Sequence, residues 1–138
     1  MHRPVLILVA ILTLGASMSA NAAGSNEELA QQAAQRWLAL IDSGDYGQSW
    51  DTAATLFKNA LTKKAWGKSI LSARAPFGKV ESRQLKSATY AKQLPGAPDG
   101  EYVVIQYNTS FEKKKSSVET ITPMMDGGSW KVSGYYIK

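Results

Sequence analysis

The sequence predicts an α+β domain in which three helices precede about four antiparallel strands. Apolar residues recur at helical spacing from residue 25 to about residue 76, and after residue 79 they alternate at the two-residue spacing of strands. Short turn sequences separate the strand segments, which favours a simple meander. Helices that come before such a sheet in the chain are expected to gather on one of its faces.

The first 22 residues have the features of a secretory signal peptide. Arg3 gives a positive start, residues 5–14 are apolar apart from Thr13, and Ala20-Asn21-Ala22 is a small-x-small cleavage site. The apolar run is too short for a membrane span. We therefore expect residues 23–138 to be one exported domain, periplasmic or secreted; a retained membrane anchor is the alternative. The chain contains no cysteine, so no disulfide stabilises it.

The first predicted helix begins after Ser25, which is placed as the N-cap of a capping box with Glu28. Gly44 is expected to end it, because glycine readily adopts the left-handed conformation that follows a helix. Its buried side is expected to consist of Leu29, Ala33, Trp37, Leu40 and Ile41.

The second and third predicted helices follow with almost no linker. Asp45 is the expected N-cap of the second, and Thr62 is the expected N-cap of the third. Pro76 and Gly78 end the third helix. The buried face of the second helix is predicted to hold Tyr46, Trp50, Ala53, Ala54, Phe57 and Leu61.

Four strands are predicted over residues 79–92, 101–111, 118–125 and 130–137. The first is polar and its alternation is interrupted once, which predicts a bulge. The second is rich in β-branched and aromatic residues, as strands are. Its core face is predicted to be Val103, Ile105, Tyr107, Thr109 and Phe111. In the last strand, Trp130, Val132 and Tyr136 are predicted to share one face, opposite Tyr135 and Ile137.

Several short motifs resemble one exported bacterial family, catalogued as domain of unknown function 4019. They are Trp37 with Leu40, the Asp42-x-Gly44-x-Tyr46 corner, Ser49-Trp50, Arg74-x-x-Phe77-Gly78 and the closing Trp130-Lys131-Val132-x-Gly134-Tyr135-Tyr136. The resemblance covers essentially the whole chain after the leader. Such proteins are similar in element order to the nuclear transport factor 2-like superfamily. That similarity implies a curved, cone-like sheet whose concave face holds the helices and often a pocket.

The family resemblance implies no established reaction, so no catalytic residue is predicted from it. The residue types present exclude much chemistry. The only histidine is His2 in the leader and there is no cysteine, so Ser-His-Asp and Cys-His nucleophiles are excluded in the exported domain. The usual zinc and copper ligands are likewise missing. We expect no cofactor, no metal site and no nucleic-acid partner.

The first functional hypothesis is a non-enzymatic exported module that binds a small apolar molecule or a protein partner. It is favoured by many aromatic residues in a domain without histidine or cysteine. A homodimer formed through the half-polar sheet face is one version of it. The candidate ligand-binding residues are Trp50, Gln106, Asn108 and Tyr136. Each has a structural alternative, either core packing or simple exposure to water.

The second hypothesis is a proton-transfer enzyme that uses an aspartate base and a tyrosine donor in the pocket of a cone-like fold. It predicts a carboxyl group of raised pKa inside a pocket. The alternative is that these acids lie at helix ends and the tyrosines serve in packing. The candidates are Asp42, Asp45 and Asp51 with Tyr46, Tyr107 and Tyr136.

The third hypothesis is a contact with an anionic lipid or glycan surface. Residues 52–98 carry nine lysines and arginines against the single acid Glu81. Lys63, Lys64 and Lys68 are the candidate contact residues, and binding is expected to weaken with salt. A basic segment that is merely solvated is the alternative.

Overall fold

The computed structural model of the protein describes residues 24–138, and the predicted leader lies outside them. The α+β fold class is confirmed, with helices followed by a four-stranded antiparallel sheet. The helices are α1 (Asn26–Asp42), α2 (Tyr46–Asp51), α3 (Thr55–Ala60) and α4 (Lys63–Arg74), followed by a 3₁₀ turn at Ala75–Phe77. The strands are β1 (Val80–Ala91), β2 (Tyr102–Phe111), β3 (Lys114–Asp126) and β4 (Ser129–Ile137).

The sheet is a meander, since the strands lie in the order β1-β2-β3-β4 and every neighbouring pair is antiparallel. The helices cover one of its faces. The predicted core face of β2 is confirmed, because alternate residues from Val103 to Phe111 are all buried. The bulge predicted in β1 is also present, and the register shifts twice along this strand, between Val80 and Ser82 and between Leu85 and Ser87.

Helix α1 begins and ends where the sequence predicts. The Ser25 hydroxyl accepts a hydrogen bond from the Glu28 backbone N–H at 3.2 Å. Gly44 follows the helix with a positive φ of 77°, which lets the chain turn directly into α2. Trp37, Leu38 and Ile41 are almost fully buried, and they pack the helix onto the sheet.

The second predicted helix is wrong as a continuous element, since residues 52–54 divide it into α2 and α3. Two long-range contacts favour the break over continued helix. The Ala54 N–H donates to the Val132 carbonyl of β4 at 2.8 Å. The Asp126 carboxylate accepts from both the backbone N–H and the hydroxyl of Thr55, at 2.8 and 3.0 Å. Asp45 is the N-cap of α2 but makes no side-chain cap bond.

The prediction that Tyr136 shares a face with Trp130 and Val132 is wrong. The register between β3 and β4 shifts so that Pro123 faces Val132 while Thr122 faces Gly134. The extra residue in β4 reverses the alternation beyond it. Tyr135 therefore packs against the helices, and Tyr136 is 59% exposed.

Aromatic side chains fill the space between the helices and β4. The Trp37 ring lies 5.4 Å from the Tyr135 ring and 5.8 Å from the Trp66 ring, measured between centroids. Phe57 stands edge-on to Trp66 at 4.8 Å. Tilted and edge-on pairs of this kind are favourable beyond the apolar area that they bury. This part of the interior is therefore a packed core.

Candidate functional site

The four residues predicted to bind a ligand do not form one site. Trp50 lies in the helical layer, where its indole N–H donates to the Leu61 carbonyl at 2.8 Å. Gln106 and Tyr136 each pair in register with Thr120, and Gln106 also donates to the Thr120 hydroxyl at 3.3 Å. Asn108 is exposed and lines a polar depression of about 240 Å³ with residues of β1 and β3.

The three lysines predicted to contact an anionic surface all lie on α4 and are exposed. Lys63 binds the Asp51 carboxylate through both oxygens at 3.0 Å. Neither Lys64 nor Lys68 makes an ion pair within residues 24–138. Asp51, one of the acids considered as a base, is thus already paired with a cation.

A charged cluster lies between the helices and the sheet, formed by Asp42, Arg74, Arg83, Glu119 and Tyr135. Glu119 is fully buried at the centre of it. Its carboxylate accepts from the Arg83 Nε at 2.7 Å, from the Thr109 hydroxyl at 2.5 Å and from the Tyr135 hydroxyl. A buried carboxylate requires such partners, because burial without them is very costly.

Arg83 joins this carboxylate to a second one at the end of α1. Its two terminal nitrogens donate to the Asp42 oxygens at 2.7 and 3.1 Å, a bidentate contact. Asp42 also accepts from Arg74 at 2.9 Å, and Arg74 stacks on the Phe111 ring at 4.9 Å. The charged cluster thus connects α1 and α4 to β1, β3 and β4.

The protonation states in the charged cluster favour fixed charges. Burial raises the pKa of the Asp42 carboxyl, but the hydrogen bonds and charges of Arg83 and Arg74 outweigh burial and hold that pKa below its ordinary value. Burial, followed by the charge of Glu119 and the hydrogen bond to it, raises the pKa of Tyr135 far above its usual range. A carboxyl of lowered pKa is a weak base, and it suits an ion pair better than proton abstraction.

The sequence analysis did not predict that Glu119 and Arg83 form a buried ion pair. A signal for Glu119 was available in the sequence, because the apolar residues Ile121, Pro123 and Met125 follow it at the two-residue spacing of one strand face. A carboxylate on an inward face needs a partner. The identity of that partner was not readable, since Arg83 is 36 residues earlier in the chain.

Two cavities flank β4. The first, which we call the α4–β4 groove, has a volume of about 340 Å³. It is lined by aromatic and aliphatic residues and one serine: Trp66, Ser69, Ile70, Ala73, Phe77, Tyr135, Tyr136 and Ile137. Tyr136 is the only one of the four predicted ligand-binding residues that lines it.

The second cavity, which we call the α1–β4 cavity, has a volume of about 310 Å³. Its lining combines two basic residues with aromatic, aliphatic and hydroxyl side chains. The lining residues are Ala33, Arg36, Trp37, Leu40, Thr52, Ser129, Trp130, Lys131 and Val132.

Within residues 24–138, no group of three or more histidine, cysteine, aspartate or glutamate side chains is placed to hold a metal ion. No helix in this part of the chain is both long enough and apolar enough to cross a membrane.

The profile of the family described as "Protein of unknown function (DUF4019)" matches residues 33–135. The chain belongs to this family. No curated protein matches it. The DUF4019 match runs from the second turn of α1 into β4, and it includes every member of the charged cluster and all the residues of the α1–β4 cavity.

Proposed function

We propose that this DUF4019 protein is an exported, non-enzymatic module that binds a small apolar molecule in the α4–β4 groove. The observation that carries the proposal is the groove itself, a cleft of about 340 Å³ with one serine among its aromatic and aliphatic lining residues. Sites for small molecules are typically concave, mainly apolar and of about 300–1,000 Å³.

The state of the acids supports binding over catalysis. Asp42 and Glu119 are held by arginines, and Asp51 is paired with Lys63. Asp45 is exposed at the α1–α2 corner and does not line the α4–β4 groove. A general base needs a pKa near the working pH and an open path to its substrate. Three of these carboxylates are bound in ion pairs, and the fourth lies outside the groove.

We also propose that the domain is related to the nuclear transport factor 2-like superfamily. Helices on one face of a four-stranded antiparallel meander, with a cleft between helix and sheet, support that relationship. A shared fold leaves the function open, so the ligand must be identified directly.

The first experiment is a native mass spectrum of the protein purified gently from the export compartment of its own host. We expect a mass that lacks residues 1–22, together with a bound small molecule. A mass that retains those residues would contradict the proposed export by cleavage. A chain without any bound molecule would count against the proposed ligand, which the groove variants then test directly.

The second experiment changes the groove. Ala73 is an exposed residue of α4 in the lining, and its neighbour Ser72 is exposed outside it. We expect Ala73→Lys to weaken binding of the neutral fluorescent probe N-phenyl-1-naphthylamine at least about tenfold, because a charge would have to be desolvated in an apolar cleft. Fluorescence titration gives the affinity.

Ser72→Lys is the matched control, since it adds the same charge to the same helix one position away. It should bind the probe as the unmodified protein does. Equal loss in both variants, or no loss in Ala73→Lys, would exclude the α4–β4 groove as the binding site.

A further inference from the structure

Trp130, which lines the α1–β4 cavity, carries a hydrogen-bond donor without an acceptor. The Trp130 indole Nε1 is shielded from solvent and makes no hydrogen bond within residues 24–138. Trp130 as a whole is 9% exposed. Buried donors in native proteins nearly always have an acceptor, and each exception calls for an explanation.

In the other three tryptophans, the indole N–H has a hydrogen-bond acceptor. The indole N–H of Trp37 donates to the Ser49 carbonyl at 2.9 Å, and that of Trp50 donates to the Leu61 carbonyl at 2.8 Å. The indole of Trp66 donates to the Ser49 hydroxyl at 2.9 Å. Trp130 alone among the four lacks such a partner. Both Trp37 and Trp130 line the α1–β4 cavity with the two basic residues, but the indole N–H of Trp37 is already bonded to Ser49.

Those two cations are Arg36 on α1 and Lys131 on β4. Neither makes an ion pair with any acid in the described part of the chain. The Asp126 carboxylate hydrogen-bonds to Thr55, which chiefly lowers its pKa, and the charge of Lys131 adds a smaller lowering effect. No acidic residue lines the cavity. Its charged groups therefore favour an anion.

We propose that the α1–β4 cavity binds a small organic carboxylate. The Trp130 indole N–H and the Arg36 and Lys131 side chains serve as the donors to its carboxylate. Arginine matches the two oxygens of a carboxylate. The Trp37 ring, Leu40 and Val132 supply an apolar wall for the rest of the ligand. The site is separate from the α4–β4 groove and does not depend on the function proposed for it.

The test uses phenylacetate as the probe and phenylacetamide as its neutral counterpart. In protein labelled with ¹⁵N-tryptophan, each of the four indole N–H groups gives its own NMR signal, and Trp130→Phe assigns that of Trp130. We expect phenylacetate to shift the Trp130 signal at millimolar concentration and to leave the signals of Trp50 and Trp66 in place. Phenylacetamide should leave all four unshifted.

Two surface substitutions probe the cations without touching the core. Arg36→Gln and Lys131→Gln should each weaken phenylacetate binding about tenfold, as expected for loss of a charged hydrogen-bond donor. Lys64→Gln removes an exposed, unpaired lysine of α4 and is the control, with affinity unchanged. All three variants should still bind N-phenyl-1-naphthylamine, and Ala73→Lys should still bind phenylacetate.

Three results would overturn the proposal. They are equal binding of phenylacetamide, binding of phenylacetate that leaves the Trp130 signal in place, and no shift up to about 50 mM, far above the millimolar range of weak specific binding. If Trp130→Phe does not fold, the Trp130 signal is assigned by sequential NMR methods. The two glutamine variants then decide the question.

Discussion

At the scale of single residues, Glu119 is a fully buried acid whose carboxylate is bonded to three other side chains. It is a carboxylate with no exposed surface, and its partners come from β1, β2 and β4. Such a residue acts less through the strength of its own bonds than through the cost of leaving its partners unpaired. Arg83 would be the partner most affected by the loss of Glu119, because it would keep only its bidentate pair with Asp42.

Replacing Glu119 with glutamine tests this. The amide keeps the shape and can still bond to Tyr135 and Thr109, but it removes one of the two carboxylate charges that Arg83 faces. We expect the free energy of unfolding to fall by about 2 kcal/mol, less than for a buried charge left without any partner, because Asp42 still pairs with Arg83. Urea unfolding measures the loss.

Glu81→Gln is the matched control for that substitution. Glu81 pairs with Lys115 at the surface, where both side chains are largely exposed. Exposed pairs contribute at most about 1 kcal/mol, so this variant should unfold almost as the parent does. A similar decrease in the free energy of unfolding in both variants would mean that the buried Glu119–Arg83 pair stabilises the fold no more than an exposed pair does.

At the scale of the elements, the junction of α2 and α3 is held by parts of the chain far away in sequence. Asp126, at the turn between β3 and β4, caps the first residue of α3 from a distance of 71 positions. The interaction also lowers the pKa of the Asp126 carboxyl, chiefly through the Thr55 backbone and side-chain hydrogen bonds. The start of α3 therefore depends on the turn of a hairpin.

Asp126→Ala should loosen this start while the rest of the fold persists. We expect faster hydrogen exchange at the backbone amides of Thr55 and Leu56, because the first N–H groups of a helix need an external acceptor. Amides in the centre of β2 should keep their protection. Asp99→Ala, in the exposed turn between β1 and β2, is the control and should change neither set.

At the scale of the whole molecule, the charged cluster makes stability depend on pH. The pKa of Asp42 is lower in the folded state than its ordinary value of 3.8. The unfolded state then binds the proton more readily, so Asp42 contributes stability above the unfolded pKa and loses it as pH falls through the folded pKa. The arginines that cause the shift stay charged throughout.

We therefore expect the stability difference between the protein and its Asp42→Asn variant to be largest above about pH 5 and to shrink as pH falls below the unfolded pKa. Urea unfolding at a series of pH values measures it for both proteins. A difference that stays constant across this range would mean that Asp42 is not stabilised in its charged form. Asp99→Asn provides a baseline for an acid in an exposed turn.

Features set by neighbouring residues were predictable, and features set by distant ones were not. The caps at Ser25 and Thr62 and the alternation along β2 follow from local spacing, and all three were predicted correctly. The break after α2 and the face of Tyr136 were predicted wrongly. Both depend on pairing with β4 or β3, which periodicity within one segment cannot reveal.

In the candidate sites, too, residue types were readable from the sequence but contacts between distant residues were not. Tyr136 was expected at a site from its residue type, and it does line a cavity. Trp130 and Lys131 were visible in the sequence, but only the fold places them beside Arg36 of α1, about 95 positions earlier in the chain. Residue type indicates which chemistry is available, and tertiary structure decides which groups meet.

The hydrogen bond from Ala54 to Val132 also bears on self-association. An open sheet exposes unpaired backbone groups on its two outermost strands, and a strand of another molecule can add there and start aggregation. On β4, the α2–α3 junction already occupies one of these groups. On β1, two register shifts, with Lys86 at the second, interrupt the regular pattern that an added strand would need. The two edge strands thus have different features that disfavour pairing with a strand of another molecule.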